Sequence, residues 1–262
     1  MTRPKSPLYP ESKNILQGKT VLVTASAGTG IGFATAKRCA EEGATVMLSD
    51  IHEARLKKAT AVLTKEIDRP VYSSICDVSS DEQVQNLVDQ AISAMGSLDV
   101  LVNNAGMGMT RSLIDTDIED WKRLLDINLT GSFRMMKATL PVMIEQGGGV
   151  IINISSICAW RAEAGQTAYG ASKAGLLALT RCAAMETAQH NIRVNAVVPS
   201  LALHPYLEKV SSADFLQKMI SQNEVFGRAA EPWEVGNTIV FLASDYSGFM
   251  TGESLSVSCR RA

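Results

Sequence analysis

No stretch of about 18 consecutive apolar residues occurs in the chain, so nothing in it reads as a membrane-spanning helix. The N-terminal MTRPKSPLYPESKN is polar and proline-containing and lacks the apolar centre of a secretory signal. Positive charge is not concentrated either. No basic run exceeds a pair such as Lys57-Lys58 or Arg260-Arg261, and the formal net charge is -2, which gives no electrostatic footprint for nucleic acid. Five cysteines (39, 76, 158, 182, 259) are an odd number with no C-x-x-C and no cysteine/histidine ligand spacing. They argue against a disulfide framework or a metal site and for reduced thiols in a cytoplasmic protein. Low-complexity linkers and internal repeats are missing too, so no boundary divides the chain. Its 262 residues, 46% of them hydrophobic, suffice for one domain with a large core. We read residues 1–17 as a mobile arm and 18–262 as that domain.

What is present is alternation. Strand-like apolar runs lie at 20–24, 45–49, 71–75, 98–103, 149–155, 192–198 and 254–258, and most lack a polar face. Strands of that kind are buried on both sides, as in a parallel sheet. Helical patterns lie between them at 31–42, 53–66, 80–95, 117–146, 166–189 and 231–245. The pattern predicts an α/β fold with a doubly wound, seven-stranded, mostly parallel sheet. Residues 199–230 are the least regular stretch and read as loop and short helix over a site.

Doubly wound sheets bind ligands beyond the carboxyl ends of their strands, and the chemistry-bearing residues fall there. The turn VTASAGTGIG places Gly28, Gly30, Ile31 and Gly32 at the start of the first helix, where free N–H groups and the helix dipole suit a pyrophosphate. Asp50 ends the second strand, about 20 residues on, where a carboxylate can accept hydrogen bonds from ribose hydroxyls. Ser156 follows the fifth strand. Tyr169 and Lys173 are four apart and share one helix face. Asn128 interrupts a helix of otherwise apolar period. An ammonium near a phenol favours phenolate, which equips a tyrosine to exchange a proton near neutral pH.

Together the glycine loop before GIG, the CDV at 76–78, the NNAG at 103–106, the Asn in INL and the Ser…Tyr-x-x-x-Lys arrangement resemble the short-chain dehydrogenase/reductase family over Gly18 to Ser258. The resemblance implies a Rossmann fold and a nicotinamide cofactor. It implies Tyr169 as acid/base, Ser156 orienting the carbonyl or hydroxyl, and Asn128 holding a relay water. Lys173 would lower the tyrosine pKa and bind the nicotinamide ribose. Asp77 and Val78 would contact adenine, Asn104 the adenosine side, and Ala202 the carboxamide through its backbone. Tetramers or dimers through the helices at 117–146 and 166–189 are also implied.

Departures from the family pattern carry information of their own. The loop is one residue longer and lacks the usual first glycine, so Gly28 is expected to supply the positive φ. Ser200 and His204 stand where the family has glycine and threonine, and His204 reads as a loop residue rather than a catalyst. The terminal VSCRRA replaces V-D/N-G-G, at a usual subunit contact. With SSICAWRAE and FGRAAEPWEV, these departures resemble a bacterial subgroup linked to steroid catabolism, which includes a reductase of a hydroxy-indanone propanoyl-CoA. Trp160 and Arg161 would then line a substrate pocket, indole against a ring and guanidinium against an acidic group. The expected function is an NAD-dependent oxidoreductase interconverting a secondary alcohol and a ketone on a bulky, CoA-linked alicyclic substrate. The alternatives are a 3-oxoacyl thioester reductase and a silent dinucleotide-binding regulator. Asp50 selects NAD over NADP, because a carboxylate repels a 2′-phosphate and Ile51 supplies no arginine.

Overall fold

A computed structural model describes residues 6–161, 163–210 and 212–259. The first five residues of the expected arm and the last three of VSCRRA lie outside the described residues. Seven strands form one sheet in which every pairing is parallel: β1 (Thr20–Val23), β2 (Thr45–Asp50), β3 (Val71–Ile75), β4 (Val100–Asn103), β5 (Gly149–Ile154), β6 (Ile192–Pro199) and β7 (Ser254–Val257). Their order is β3-β2-β1-β4-β5-β6-β7, so the chain winds outward in both directions from the β1/β4 boundary. That boundary is the switch point at which the carboxyl edge opens into a crevice.

The helices are α1 (Ile31–Glu41), α2 (Glu53–Ile67), α3 (Asp81–Met95), α4 (Ile118–Leu125), α5 (Gly131–Gln146), α6 (Thr167–Thr187), α7 (Pro205–Val210), α8 (Ala213–Asn223) and α9 (Pro232–Ala243). Each continuous apolar strand feeds two cores, since successive side chains point to opposite faces. From β1, Val21 and Val23 join Ala36, Leu56, Leu63, Val235 and Ile239 on the α1/α2/α9 face. Leu22 joins Leu87, Leu101, Met135, Ile151 and Ala184 on the α3/α5/α6 face. Among the described residues no helix is long and apolar enough to cross a membrane.

The single helix predicted over 117–146 is instead α4, a π-helical turn at Asp126–Thr130, and α5. Packing is the reason. Asn128 is fully buried and exchanges two hydrogen bonds with the backbone of Met107, while a Cβ on Gly131 would lie 2.8 Å from the Val78 side chain. Arg134 braces the turn, donating to Asp126 and Asp81 at 2.8 and 2.7 Å. A side chain drawn into the neighbouring loop and a close approach on the next residues are satisfied by one extra residue in the helical ladder.

Contacts tie the described part of the N-terminal stretch to α1 and α9. Tyr9 donates to Glu41 at 2.7 Å, and its ring lies 5.3 Å from both the Trp233 ring and the Arg38 guanidinium carbon. Glu42 is buried; it receives the backbone N–H of Lys13 and Ile15 and the guanidinium of Arg38.

Candidate active site

The carboxyl edge of the sheet encloses a cavity of about 840 Å³ that runs from Asp50 past the glycine loop to Tyr169 and Lys173. That volume is ordinary for a site taking a large cofactor with a substrate. Gly28, Gly30, Ile31, Gly32, Asp50, Asn104, Ser156, Tyr169, Lys173 and Ala202 all line it. Asp77, Val78, Asn128, Trp160 and Arg161 do not line its wall. Asp77 caps its own turn by accepting from Ser79 N and Oγ, and Val78 is buried against Gly131. Trp160 ends a short 3₁₀ turn and is 48% exposed, while Arg161 donates its backbone N–H to Ile157.

The glycine loop corrects one expectation. Gly28 does not have a positive φ; Ala25 does, at φ 49°. The reversal of the chain falls directly after Thr24, where the strand must be left, and an alanine accepts the left-handed conformation that the longer loop imposes. Gly32 is demanded for a different reason. A Cβ there would lie 2.4 Å from Asn104 Nδ2 and 2.5 Å from Ala25 O. Asn104 therefore does more than face the cavity, because its amide braces the loop by donating to Thr24 O and Ala25 O, each at 3.0 Å.

At the far end of β2, Asp50 is buried and accepts from Ala27 N at 3.2 Å and His52 N at 2.9 Å. Burial raises its pKa, opposed by the Ala27 N–H, the Arg55 charge and the Ile51 N–H. The Arg55 guanidinium lies 3.6 Å from the Asp50 carboxylate, so the nearest cation on this helix is engaged by the acid.

At the other end, Ser155 and Ser156 follow β5 with opposite tasks. Ser155 Oγ donates to Lys173 O at 2.9 Å and so locks α6 onto the strand, while Ser156 shares a side-chain hydrogen bond with Tyr169. The sequence singled out Ser156 and not Ser155, whose partner, the carbonyl of Lys173, is apparent only once α6 is packed on the strand. Lys173 is buried; its Nζ donates to Ile154 O at 2.8 Å and lies 5.9 Å from the centre of the Tyr169 ring. A Cβ on Gly106 would sit 3.2 Å from both Asn128 Oδ1 and Lys173 Nζ, so the glycine of NNAG leaves those two polar atoms facing one small space. Asn128 is held for this by Met107 and by its Nδ2 donating to Ser172 Oγ at 3.0 Å.

The phenol does not show the lowered pKa expected from its lysine. Burial raises it, the Ser156 hydrogen bond lowers it, and Cys158 raises it further. Burial also brings the Lys173 ammonium down to about 8. Both groups are thus pushed toward neutrality by the same apolar surroundings.

The segment after β6 forms the remaining wall. Ser200 Oγ donates to the buried Glu224 at 3.2 Å, and Cys259 Sγ approaches the same carboxylate at 3.1 Å. Ala202 pairs with Ala230 in a parallel bridge. Glu224, absent from the sequence reading, sits where no motif marks it; its role is visible only once the tail and the strap meet.

A glycine-lined helix start, a carboxylate closing β2 and a lysine beside β5 in one crevice fit a dinucleotide laid across the switch point. A family model described as enoyl-(acyl carrier protein) reductase matches residues 25–259. The chain belongs to the short-chain dehydrogenase/reductase family of oxidoreductases, whose members bind a nicotinamide dinucleotide. It is 50% identical over 247 residues, 94% of each chain, to the (5R,7aS)-5-hydroxy-7a-methyl-1-oxo-2,3,5,6,7,7a-hexahydro-1H-indene-carboxyl-CoA reductase of Mycobacterium tuberculosis. A 3-oxoacyl-[acyl-carrier-protein] reductase of Thermotoga maritima is 37% identical, over 92% of this chain and 97% of that one. Among solved structures, a 7α-hydroxysteroid dehydrogenase complexed with NADH and 7-oxo glycochenodeoxycholic acid superposes with a TM-score of 0.88 at 31% identity, covering 96% of this chain and 97% of the other.

Proposed function

We propose that the chain interconverts a secondary alcohol and a ketone with NAD(H), on a bulky alicyclic substrate carried as a CoA thioester. The observation that carries the chemistry is the meeting of Ser156, Tyr169 and Lys173 in the cavity that Asp50 closes at its other end. When bound, the nicotinamide supplies the hydride acceptor or donor. The protein's own work is positioning and proton transfer. Tyr169 Oη gives or takes the proton of the substrate oxygen, and Ser156 Oγ fixes that oxygen beside it. Lys173, in its charged form, favours the phenolate and reaches the ribose, while Asn128 Oδ1 supports a relay through the space at Gly106. Asp50 accepts from the adenosine ribose and disfavours a 2′-phosphate. Gly28, Gly30, Ile31 and Gly32 bring backbone to the pyrophosphate, Ala202 offers backbone to the carboxamide, Asn104 faces the adenosine side, and Asp77 and Val78, outside the cavity wall, would meet the adenine only where it extends beyond that wall toward the end of β3.

The substrate class is supported by the 50% identical relative that acts on an indene-carboxyl-CoA. Trp160 and Arg161 stand on the turn just after Ser156, where closure of a substrate over the site would bring an indole and a guanidinium to it. A homotetramer or dimer is supported by the apolar side chains that α4, α5 and α6 leave exposed, among them Ile118, Phe133, Ile144 and Met185. A cytoplasmic setting is supported by five free thiols.

A second reading, 3-oxoacyl thioester reduction, is favoured by the 37% identical relative of that activity. Purified protein assayed with fused-ring hydroxy- and oxo-acyl-CoA and with linear 3-oxoacyl-CoA, each with NADH and NADPH, separates the readings. Higher kcat/KM on the fused-ring panel with NADH supports the proposal. Preference for linear substrates with NADPH supports the second reading. No turnover of either panel with measurable dinucleotide binding would leave the silent regulator.

A further inference from the structure

The cavity has two long walls, and the structure sets one unusual side chain between them. On one side stands Gly30, the N-cap of α1. On the other stands His204, whose ring lies so close that an ideal Cβ on Gly30 would be 3.6 Å from its Cδ2 and Nε2 and 3.7 Å from its Cγ. Both residues line the cavity.

The strap that carries His204 is fixed on both sides. Ala230 N donates to Leu201 O at 2.9 Å and Leu203 N to Ala230 O at 3.0 Å, around the Ala202–Ala230 bridge, and Ser200 is bound to Glu224. His204 is the next residue, immediately before α7 (Pro205–Val210). Its ring is therefore delivered to the glycine loop by backbone pairing rather than by a free loop.

Charge along the cavity is uneven. Asp50, Arg55 and Lys58 line the adenosine end, Lys173 lies at the nicotinamide end, donating to Ile154 O, and Lys209 lines the cavity from α7, five residues beyond His204. The stretch between must take the two negative charges of a diphosphate, and the loop itself offers backbone N–H groups and Thr29 there but no charged side chain. Among the lining residues, His204 is the side chain with an N–H donor that faces Gly30. An imidazole donates from a ring nitrogen in either protonation state and carries a positive charge when protonated.

We propose that His204 is a binding residue for the pyrophosphate of the dinucleotide: the diphosphate lies along the N-terminal amides of α1 and next to the imidazole, which donates to a phosphate oxygen. The proposal rests on the reading of this cavity as a dinucleotide site. It revises the sequence view of His204 as an ordinary loop residue and gives a physical use to the Thr-to-His departure at this position.

The test is equilibrium binding, by tryptophan fluorescence or calorimetry, of NADH, ADP-ribose and adenosine to wild type, His204→Ala and His204→Gln, with thermal melting of each variant as a folding control. ADP-ribose retains the pyrophosphate without the nicotinamide; adenosine has neither. His204→Ala is expected to weaken NADH and ADP-ribose by the same factor, at least about fivefold, and to leave adenosine within about twofold, with His204→Gln between because it keeps a donor. An unchanged affinity of His204→Ala for ADP-ribose overturns the proposal, whether or not NADH is weakened, since loss for NADH alone would place the ring on the nicotinamide. Wild type that binds none of the three probes would overturn the dinucleotide site and the role of His204 together. Should His204→Ala melt well below wild type, the ratio of ADP-ribose to adenosine affinity in His204→Gln decides, and an unaltered ratio counts against the proposal.

Discussion

Replacing Lys173 with methionine isolates what the active site costs the fold. The ammonium is buried, and its pKa falls from 10.5 to about 8, equivalent to about 3 kcal/mol in favour of the neutral amine. Below pH 8 both the folded and the unfolded chain hold the proton, and the whole cost of burying the charge is present. Between pH 8 and 10.5 the folded chain has released a proton that the unfolded chain keeps, so this group makes stability rise with pH. Methionine follows the lysine stem without the charge and leaves only Ile154 O without its donor, a loss of about 1–3 kcal/mol. Lys173→Met is therefore expected to match wild type or exceed it by up to about 2 kcal/mol near pH 7, while turnover collapses. Urea unfolding of the cofactor-free proteins at pH 7.5 and 9.5 checks the linkage: wild type should gain about 2 kcal/mol on the variant over that interval. A stability difference that stays constant within about 0.5 kcal/mol would show that Lys173 does not bury an ionised amine, and the reasoning would fall.

Tyr169→Phe should keep its affinity for NADH in a binding titration and lose at least about 10²-fold in kcat, the usual share of a general acid/base; near-wild-type turnover would remove the phenol from the chemistry. Ala25→Gly should raise Tm by about 1–3 °C, since the left-handed residue costs an alanine about 1–2 kcal/mol and the glycine returns part of that as chain entropy. Gly28→Ala, with no atom nearer than 3.9 Å to the new Cβ, should shift stability by under about 0.5 kcal/mol, and a large loss there would contradict the loop geometry. Wild type should prefer NAD over NADP by at least about 100-fold in kcat/KM, and Asp50→Ala with Ile51→Arg should erase or reverse that preference; equal use of both cofactors by wild type would refute the role given to Asp50.

How far the sequence was legible depends on whether a signal is local. The five inner strands were marked by continuous apolar runs because burial on both faces leaves no polar alternation, whereas the edge strands β3 and β7 carry serines and exposed positions and were marked by their place in the alternation with helices. Residues of the cavity wall were legible where a strand end or a helix repeat placed them, as with Asp50, Ser156, Tyr169 and Lys173. Asn128 was visible as a polar break in an apolar helix, yet the π turn that accommodates it was not, since it arises from Met107 and Val78 on neighbouring segments. The residue with positive φ was misplaced by three positions because composition points to a glycine, whereas the chain's exit from β1 decided the matter at Ala25. Glu224 and the His204 contact were illegible for the same reason: each depends on a strap, a tail and a loop brought together over long sequence distances.

The π turn at Asp126–Thr130 also sets a phase. One residue added to a regular helix rotates everything beyond it by about 100°. Upstream, α4 offers its buried edge to α6; downstream, α5 offers a different edge to α3 and the sheet. A continuous α-helix through this stretch would satisfy one of those contacts and turn the other outward. Shortening the segment by a single residue would therefore act like a mistimed gear rather than a missing tooth: Asn128 would lose its hydrogen bonds to Met107 and its place beside Gly106, and the apolar side of α5 would be presented to water. The extra residue that seats one polar side chain is also what lets a single length of helix serve two differently oriented halves of the molecule.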